Sequence, residues 1–225
     1  MPTPRPTTSA ELQETGFLVR DNFLPQPLFD SLRTRVLAAW QRKEHWRTSV
    51  KGPGAPVTLP FQQGPELAAI ASLLDAERAA RPHAFTYLYH VREEEAALGL
   101  TARIHPHIVA GWADMLQALE ISYRVTQFAL TAFGPHCYLD PHTDFSPHHA
   151  EPYQIALILY FQAAAMEQDA SLQFDYMGKR ARIAPLANRS VFFIPNRQTD
   201  HCVPQSPQAA AGPDMPRLAV SGWLI

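Results

Sequence analysis

Apolar positions in the first half of the chain largely follow a helical period. Leu28, Leu32 and Val36 recur every four residues after a turn rich in Asp, Asn and Pro, which predicts an amphipathic helix packed on a sheet. Residues 112–121 show the same kind of pattern and predict a second amphipathic helix. Residues 45–64 mix Gly and Pro with aromatic side chains, which is typical of a long loop or irregular hairpin. Because such loops often cover active sites, this segment is a candidate lid.

The second half of the chain changes to short segments separated by turn residues. Each segment is rich in β-branched or aromatic side chains, as strands are. With two segments from the first half, the predicted strands are residues 16–20, 85–89, 122–133, 138–144, 153–161, 171–175, 190–194 and 218–225. Such a series indicates a mainly β fold with flanking helices, of the β-sandwich or jelly-roll type. Residues 204–216 mix Pro, Gln, Ala and Gly, and we expect them to form a mobile loop.

Length and charge restrict the setting without naming the chemistry. The chain has 225 residues, enough for one well-buried core, and we expect a single domain over residues 1–225. About the first 14 residues, rich in Pro and Thr, are expected to form a flexible N-terminal tail. The formal net charge is −2, with acidic and basic residues mixed along the chain. Because this leaves no basic surface for a phosphate backbone, we expect no nucleic-acid partner.

Cysteine usage and hydropathy indicate the compartment. Cys137 and Cys202 are the only cysteines and have no CxxC spacing, so neither a disulfide framework nor a zinc ribbon is predicted. The first residues lack the apolar stretch of a signal peptide, and no segment is long and apolar enough to span a bilayer. We therefore expect a soluble protein of the reducing cytoplasm with no membrane partner. Its oligomeric state is left open.

Three residues have the spacing of a metal site. His142 and Asp144 stand two positions apart at the end of a predicted strand, so both can point the same way from one extended segment. His201 follows 57 residues later, a distance that leaves room for about three strands and their turns. Two imidazoles and one carboxylate can occupy one face of an octahedron, which is the donor set of non-haem Fe(II) oxygenases. The remaining positions would admit a bidentate 2-oxo acid together with dioxygen.

Simpler explanations exist for each of these histidines. The chain has 10 histidines, and most histidines in proteins are surface residues or satisfied core residues rather than ligands. The tripeptide His-x-Asp also arises often by chance, and His201 alone is compatible with a loop histidine at the start of a strand. The order of predicted elements around the three residues is what favours the metal site.

Arg217 opens the last predicted strand and adds a candidate anion site. In a strand, the side chains of Arg217, Ser221 and Trp223 point to the same face. A buried guanidinium requires a partner, and a carboxylate fits its two-pronged geometry. The distal carboxylate of a 2-oxo diacid would meet this requirement. An ion pair with a carboxylate of the protein is the alternative.

These motifs together resemble the Fe(II)- and 2-oxoglutarate-dependent dioxygenases, and specifically their prolyl 4-hydroxylase-like branch. The resemblance runs from Gly16 to the C-terminus and implies a double-stranded β-helix (jelly roll). It implies that His142, Asp144 and His201 bind Fe(II), and that 2-oxoglutarate and O2 are co-substrates. It further implies that the far carboxylate of 2-oxoglutarate is bound by a cation and two hydroxyl groups. The matching residues are Arg217, Tyr160 and Ser221.

The sequence departs from this family at three places. The family often has tyrosine where this chain has Phe133, which would remove a hydroxyl near the metal-bound end of the co-substrate. It often has a glycine pair before the strand at Leu172, where residues 169–171 read Asp-Ala-Ser. The segment 204–216 is longer than the usual link between the second histidine and the basic residue. These differences concern the substrate rather than the metal.

The resemblance implies hydroxylation of an unactivated C–H bond, with release of succinate and CO2. Two substrate classes stay open: a free or carrier-bound amino acid or amino-acid-derived metabolite, and a prolyl residue of a protein. A desaturase or cyclase of a small-molecule pathway is an alternative within the same chemistry. A non-enzymatic β-sandwich binding module and a zinc hydrolase are more remote alternatives, and the hydrolase would need a further carboxylate as general base.

Overall fold

A connected antiparallel sheet forms the centre of the protein. The computed structural model describes residues 9–93, 98–121, 125–145, 153–161, 171–205 and 216–224. Its helices are α1 (Ser9–Thr15), α2 (Gln26–Arg42), α3 (Gly64–Ala80) and α4 (Leu100–Ala118). Its strands are β1 (Phe17–Arg20), β2 (Arg47–Lys51), β3 (Val57–Pro60), β4 (Tyr87–Glu93), β5 (Val125–Phe133), β6 (Tyr138–His142), β7 (Ile155–Tyr160), β8 (Leu172–Tyr176), β9 (Lys179–Ile183), β10 (Ser190–Phe193), β11 (Thr199–Val203) and β12 (Arg217–Leu224).

The strand order confirms the predicted jelly roll. The sheet runs β1-β10-β7-β12-β5-β4-β6-β11-β8-β9, and the hairpin β2-β3 joins through β2 to β4. All of these pairings are antiparallel. Because β12 lies between β5 and β7 while β6 pairs with β11, strands distant in sequence meet at one side of the sheet. This topology brings residues near 142, 201 and 217 together.

Helices α2 and α4 cover one face of the sheet. Phe29 of α2 stacks on Phe161 at 5.8 Å, and Trp112 of α4 stacks on Phe192 of β10 at 4.9 Å. These four rings are at most 2 % exposed. Full burial of one such ring stabilises the fold by roughly 1.5–3 kcal/mol, so this layer forms a large part of the core. The helices therefore cover the face of the sheet that is opposite the candidate site.

Two helices differ from expectation. Helix α4 begins at Leu100 and runs through Pro106, because Ile104, Ile108 and Trp112 repeat every four residues and are all buried on one face. Proline lacks an amide donor and is unfavourable inside a helix, which is why the sequence predicted only residues 112–121. Helix α3 was not predicted. Its turns are rich in alanine and bury few large side chains, so the helical pattern is weak.

The first residues and the candidate lid are more regular than expected. Residues 9–14 of the expected flexible tail lie in helix α1, and residues 1–8 lie outside the described residues. The segment 45–64 contains the hairpin of β2 and β3 that leads into α3, which agrees with the hairpin alternative of the prediction, although the strand pairing is regular. Most of the expected mobile loop 204–216 lies outside the described residues. In the described ranges, no helix is long and apolar enough to cross a membrane.

Candidate metal centre and anion site

The three predicted ligand residues converge in the structure. His142 ends β6 and lies opposite His201 of β11 in the strand register, and Asp144 follows two residues after His142. One side-chain donor atom of each residue lies within 4.8 Å of the other two. Asp144 carboxylate oxygens are 3.3 Å from His142 Nε2 and 3.9 Å from His201 Nε2. Two nitrogens and one oxygen therefore surround a single point that a metal ion can occupy.

Backbone hydrogen bonds orient both imidazoles toward that point. His142 Nδ1 lies 3.0 Å from the carbonyl oxygen of Asp140, and His201 Nδ1 lies 3.3 Å from that of Thr199. Since a carbonyl only accepts, each Nδ1 carries the proton and each Nε2 presents its lone pair. This is the tautomer that a metal ligand needs, and hydrogen bonding at the second nitrogen holds the ring in place.

Burial and charge set the protonation of the centre. Burial lowers the pKa of His201 to about 4, so its imidazole is neutral at pH 7. Burial also disfavours the charged form of His142, but the hydrogen bond and charge of Asp144 more than offset this and raise its pKa. Burial raises the pKa of Asp144, but its interactions with the two histidines and Trp223 lower the pKa by more. The pKa of Asp144 is therefore below its usual value. The carboxylate is therefore ionised and available as a ligand.

A hydrogen bond from β12 holds the carboxylate. Trp223 donates from Nε1 to Asp144 Oδ2 at 2.9 Å, and its ring stacks on Tyr153 at 4.7 Å. The sequence placed Trp223 on the same face as Arg217, but it did not predict this contact with Asp144. Because the indole bonds to Oδ2, the other oxygen of the carboxylate, Oδ1, stays directed at His142.

Arg217 is buried beside the triad without a carboxylate partner among the described residues. Its side chain is 2 % exposed, and its guanidinium lies over the rings of Phe133 at 5.0 Å and Tyr160 at 4.9 Å. Its Nη2 donates to the Tyr160 hydroxyl at 3.0 Å, whereas Nε and Nη1 have no hydrogen-bond partner in the described part of the chain. Leaving such a group unpaired is costly, which indicates that an anionic ligand completes the site. The alternative of an internal ion pair finds no support in the described part of the chain.

One cavity joins the triad to Arg217. It has a volume of about 280 Å³ and is lined by all three triad residues, by Arg217 and by Ser221. Most of its remaining described lining is aromatic or aliphatic. Tyr160 contributes through its contact with Arg217 and is itself fully buried. The six predicted site residues are thus brought together around one cavity.

The sequence did not predict a hydrogen-bond network around Asp140, two residues before His142. Asp140 Oδ2 accepts hydrogen bonds from the Thr86 amide at 3.0 Å and the Thr86 hydroxyl at 2.6 Å, and Arg78 of α3 lies 3.4 Å from Oδ1. The backbone carbonyl of the same Asp140 accepts the bond from His142. The network therefore fixes the segment that presents the first histidine. Only the short Asp-Pro step before His142 could have suggested it.

The residues fit an iron and 2-oxoglutarate site on chemical grounds. Two imidazole nitrogens and a carboxylate are a non-haem Fe(II) donor set, and the described residues do not offer the fourth ligand of a structural zinc site. The unpaired donors of Arg217 on the same cavity suit the distal carboxylate of a 2-oxo diacid.

Comparison with known structures supports the fold over nearly the whole chain. A prolyl-4-hydroxylase from Pseudomonas putida has a TM-score of 0.62 at 14% identity, with 96% of this chain and 95% of that chain covered. A Trichoplax adhaerens prolyl hydroxylase, in complex with a hypoxia inducible factor peptide fragment, has a TM-score of 0.61 at 14% identity, covering 96% and 86%. The carbocyclase SnoK from nogalamycin biosynthesis has a TM-score of 0.60 at 13% identity, covering 100% and 86%.

Sequence comparison matches the C-terminal part of the chain to one family. No curated protein matches the chain. Residues 126–225, which contain the triad and Arg217, match the family model of the 2OG-Fe(II) oxygenase superfamily. This match, together with the shared fold and the fitting donor set, supports a non-haem iron oxygenase that uses Fe(II), 2-oxoglutarate and O2.

Proposed function

We propose that the protein hydroxylates an unactivated C–H bond of an amino acid, an amino-acid-derived metabolite or a prolyl residue, with release of succinate and CO2. In this proposal His142, Asp144 and His201 bind Fe(II), and Arg217 binds the far carboxylate of 2-oxoglutarate. The observation that carries it is the buried guanidinium with two unpaired nitrogens, on the same cavity as the triad. When bound, Fe(II) with 2-oxoglutarate supplies the activation of dioxygen that the oxidation requires.

The chain's own groups bind and orient the co-substrate. Arg217 offers Nε and Nη1 to a carboxylate, and Tyr160 holds the guanidinium by accepting from Nη2. The Tyr160 hydroxyl keeps its own proton and can donate it to the same carboxylate. Ser221, four residues along β12 from Arg217, lines the cavity and adds a second hydroxyl. Aromatic rings around these groups exclude water, which strengthens each charge interaction.

The described lining favours an uncharged substrate group. Besides the triad, Arg217 is its only charged residue. If Arg217 is occupied by 2-oxoglutarate, this part of the cavity offers no charge pair for the ammonium and carboxylate of a free amino acid. A prolyl residue within a peptide, or a neutral amino-acid derivative, suits it better. The fold likeness to prolyl hydroxylases agrees with this choice.

A cyclase or desaturase is the second candidate function. It is supported by the fold shared with SnoK, a non-haem α-ketoglutarate-dependent carbocyclase from nogalamycin biosynthesis. The two outcomes differ in the product: hydroxylation adds one oxygen atom, whereas ring closure or desaturation removes two hydrogen atoms. A zinc hydrolase is not supported, because Asp144 is the only carboxylate in the described cavity lining and belongs to the triad.

The test is a turnover assay on the purified protein. We expect succinate formation that requires Fe(II), 2-oxoglutarate and O2 together, and that rises when a suitable substrate is added. N-acetyl-prolyl amides, short prolyl peptides and free amino acids should be compared, with products identified by mass. Asp144→Ala serves as the inactive control. Succinate formation with Zn(II), or equal rates in Asp144→Ala, would refute the proposal.

We further propose that residues 1–225 act as one domain in a reducing cytoplasm. The described helices and strands share one connected sheet, and Cys137 and Cys202 form no disulfide. Limited proteolysis tests the first part: a single resistant core is expected, and two separately stable fragments would contradict it.

A further inference from the structure

The two strands that carry the histidines of the triad are paired irregularly. In the register of β6 with β11, His142 lies opposite His201, and Leu139 lies opposite Val203. The stretch from Leu139 to His142 is therefore one residue longer than the stretch of β11 that it faces. Such a bulge interrupts the ladder of backbone hydrogen bonds and changes the direction of nearby side chains. The relative placement of the two imidazoles thus depends on what holds this bulge.

The backbone amides of the bulge do not link β6 to β11. The bulge contains Asp140 and Pro141, and proline has no backbone amide to donate. The Asp140 amide donates to the Thr86 carbonyl at 3.1 Å. Thr86 immediately precedes β4, which is the neighbour of β6 on the side opposite β11. A connection between the two histidine strands at this point therefore has to involve side chains.

Arg78 of helix α3 makes such a connection. Its Nη1 donates to Asp140 Oδ1 at 3.4 Å, and its Nη2 donates to Gln205 Oε1 at 3.0 Å. Gln205 follows the last residue of β11 by two positions. One planar guanidinium therefore binds the bulge of β6 with one nitrogen and the segment that leaves β11 with the other.

The surroundings of Arg78 hold the guanidinium in this position. Its central carbon lies 4.1 Å from the centre of the Tyr138 ring of β6, and Nη2 also bonds to Asp75, one turn earlier in α3. The Arg78 side chain is 30 % exposed, and that of Asp140 is 18 % exposed. Ion pairs in full contact with water contribute little, but this one is stacked on a ring and mostly shielded from water. The bridge is therefore suited to restrain the two strands.

We propose that Arg78 is a positioning residue of the metal centre, which sets the placement of His142 relative to His201 by bridging their strands across the bulge. This inference rests on the proposed function, since it needs a metal ion at the triad. The path to each ligand is short. The Asp140 carbonyl accepts the bond from His142 Nδ1, and Gln205 lies four positions after His201. Arginine suits this role because its nitrogens form a rigid fork, which the single ammonium of lysine does not reproduce.

Anaerobic titration with Fe(II), and with Co(II) as a spectroscopic probe, tests this assignment. The visible bands of bound Co(II) depend on the arrangement of its ligands, so they report geometry separately from affinity. Arg78→Met should raise the Fe(II) dissociation constant by about tenfold, as loss of a group that orients metal ligands does. It should also shift the Co(II) bands at full metal occupancy. Arg78→Lys keeps the charge but should restore neither property.

Gln205→Met removes only the connection to β11. It should raise the Fe(II) dissociation constant by about threefold, the effect of losing one hydrogen bond, and shift the Co(II) bands in the same direction as Arg78→Met. The double variant should bind Fe(II) no more weakly than Arg78→Met, because both changes break the same bridge. If Arg78→Met does not fold, the Co(II) bands of Gln205→Met decide the question.

Arg81→Met is the matched control, because it removes a cation from the same helix, where Arg81 forms its ion pair with Glu77 of α3. It should change the Fe(II) affinity by less than about threefold and leave the Co(II) bands unchanged. Unchanged affinity or unchanged bands in Arg78→Met would overturn the inference while leaving the proposed function intact. So would an equal loss in Arg81→Met, unchanged bands in Gln205→Met, or additive losses in the double variant. If the unmodified protein binds neither metal, the proposed function itself fails and the inference fails with it.

Discussion

Removing the indole donor at Trp223 should weaken metal binding without unfolding the protein. In Trp223→Phe the ring that stacks on Tyr153 is largely kept, but the 2.9 Å bond from Nε1 to Asp144 Oδ2 is lost. Asp144 is ionised, and this bond is one of the interactions that lower its pKa. The carboxylate would then be less firmly oriented and more easily protonated.

The size of the effect follows from the kind of bond that is lost. A hydrogen bond to a charged group contributes about 1.5–3 kcal/mol, and loss of a group that orients a metal ligand commonly costs about 10–100-fold in metal affinity. These two ranges agree with each other, since about 1.4 kcal/mol corresponds to a factor of ten. We therefore expect the dissociation constant for Fe(II) to rise by about 10–100-fold in Trp223→Phe.

Anaerobic equilibrium titration of the apo-protein with Fe(II) measures this change. Trp46→Phe is the matched control, because it also removes an indole hydrogen bond, from Nε1 to the Ala39 carbonyl at 3.2 Å, but away from the site. It should lower the free energy of unfolding without changing metal affinity. The reasoning is refuted if Trp223→Phe binds Fe(II) as tightly as the parent, or if both variants lose affinity equally.

Three further predictions concern other contacts. Asp140→Asn replaces a carboxylate that accepts two hydrogen bonds from Thr86, and it should leave His142 less firmly oriented. In the same titration the Fe(II) dissociation constant should rise by about tenfold. Unchanged Fe(II) affinity would contradict the positioning role of Asp140. Burial, together with the charge of Lys43, lowers the pKa of His90 from 6.5 to about 4, so the folded protein favours the neutral ring. As the pH falls from 6.5 toward 4, the unfolded chain takes up a proton at His90 that the folded protein does not, and the free energy of unfolding decreases by about 3 kcal/mol. Urea unfolding at pH 7 and pH 4.5 should show a smaller pH dependence in His90→Gln than in the parent, and equal slopes would contradict this. Trp112→Ala should cost about 3–5 kcal/mol of unfolding free energy because the ring is buried against the sheet, and a loss below about 1 kcal/mol would exclude that role.

Part of the metal centre was predictable because two of its three residues are close together in sequence at the end of one strand. His142 and Asp144 lie two residues apart, and the alternation of a strand end is enough to direct both to one side. Placing His201 opposite them required a strand order; the sequence predicted a jelly roll, but it did not predict β11, the strand that carries His201. Arg217 and Ser221 followed from the period of a single strand, since the pairing of β12 with β5 is regular from Arg217 to Gly222.

The supporting contacts were not predictable because they join residues far apart in the chain. Arg78 meets Asp140 across 62 positions, and Trp223 meets Asp144 across 79. No local period contains this information, and it depends on how α3 and β12 pack. Helix α3 itself was missed because an alanine-rich helix with Leu67 and Leu74 as its large buried residues has little hydrophobic contrast. Tertiary packing, rather than propensity, decides these features.

The central claim is that the triad binds Fe(II) while Arg217 binds the far carboxylate of 2-oxoglutarate in one cavity. Anaerobic titration of the Fe(II)-loaded protein with 2-oxoglutarate tests it directly. The account predicts a saturable visible charge-transfer band in the unmodified protein, no band in His201→Ala, and a band that needs at least about tenfold more 2-oxoglutarate in Arg217→Met. A protein that binds Fe(II) but shows no band, or equal 2-oxoglutarate affinity in Arg217→Met, would contradict it.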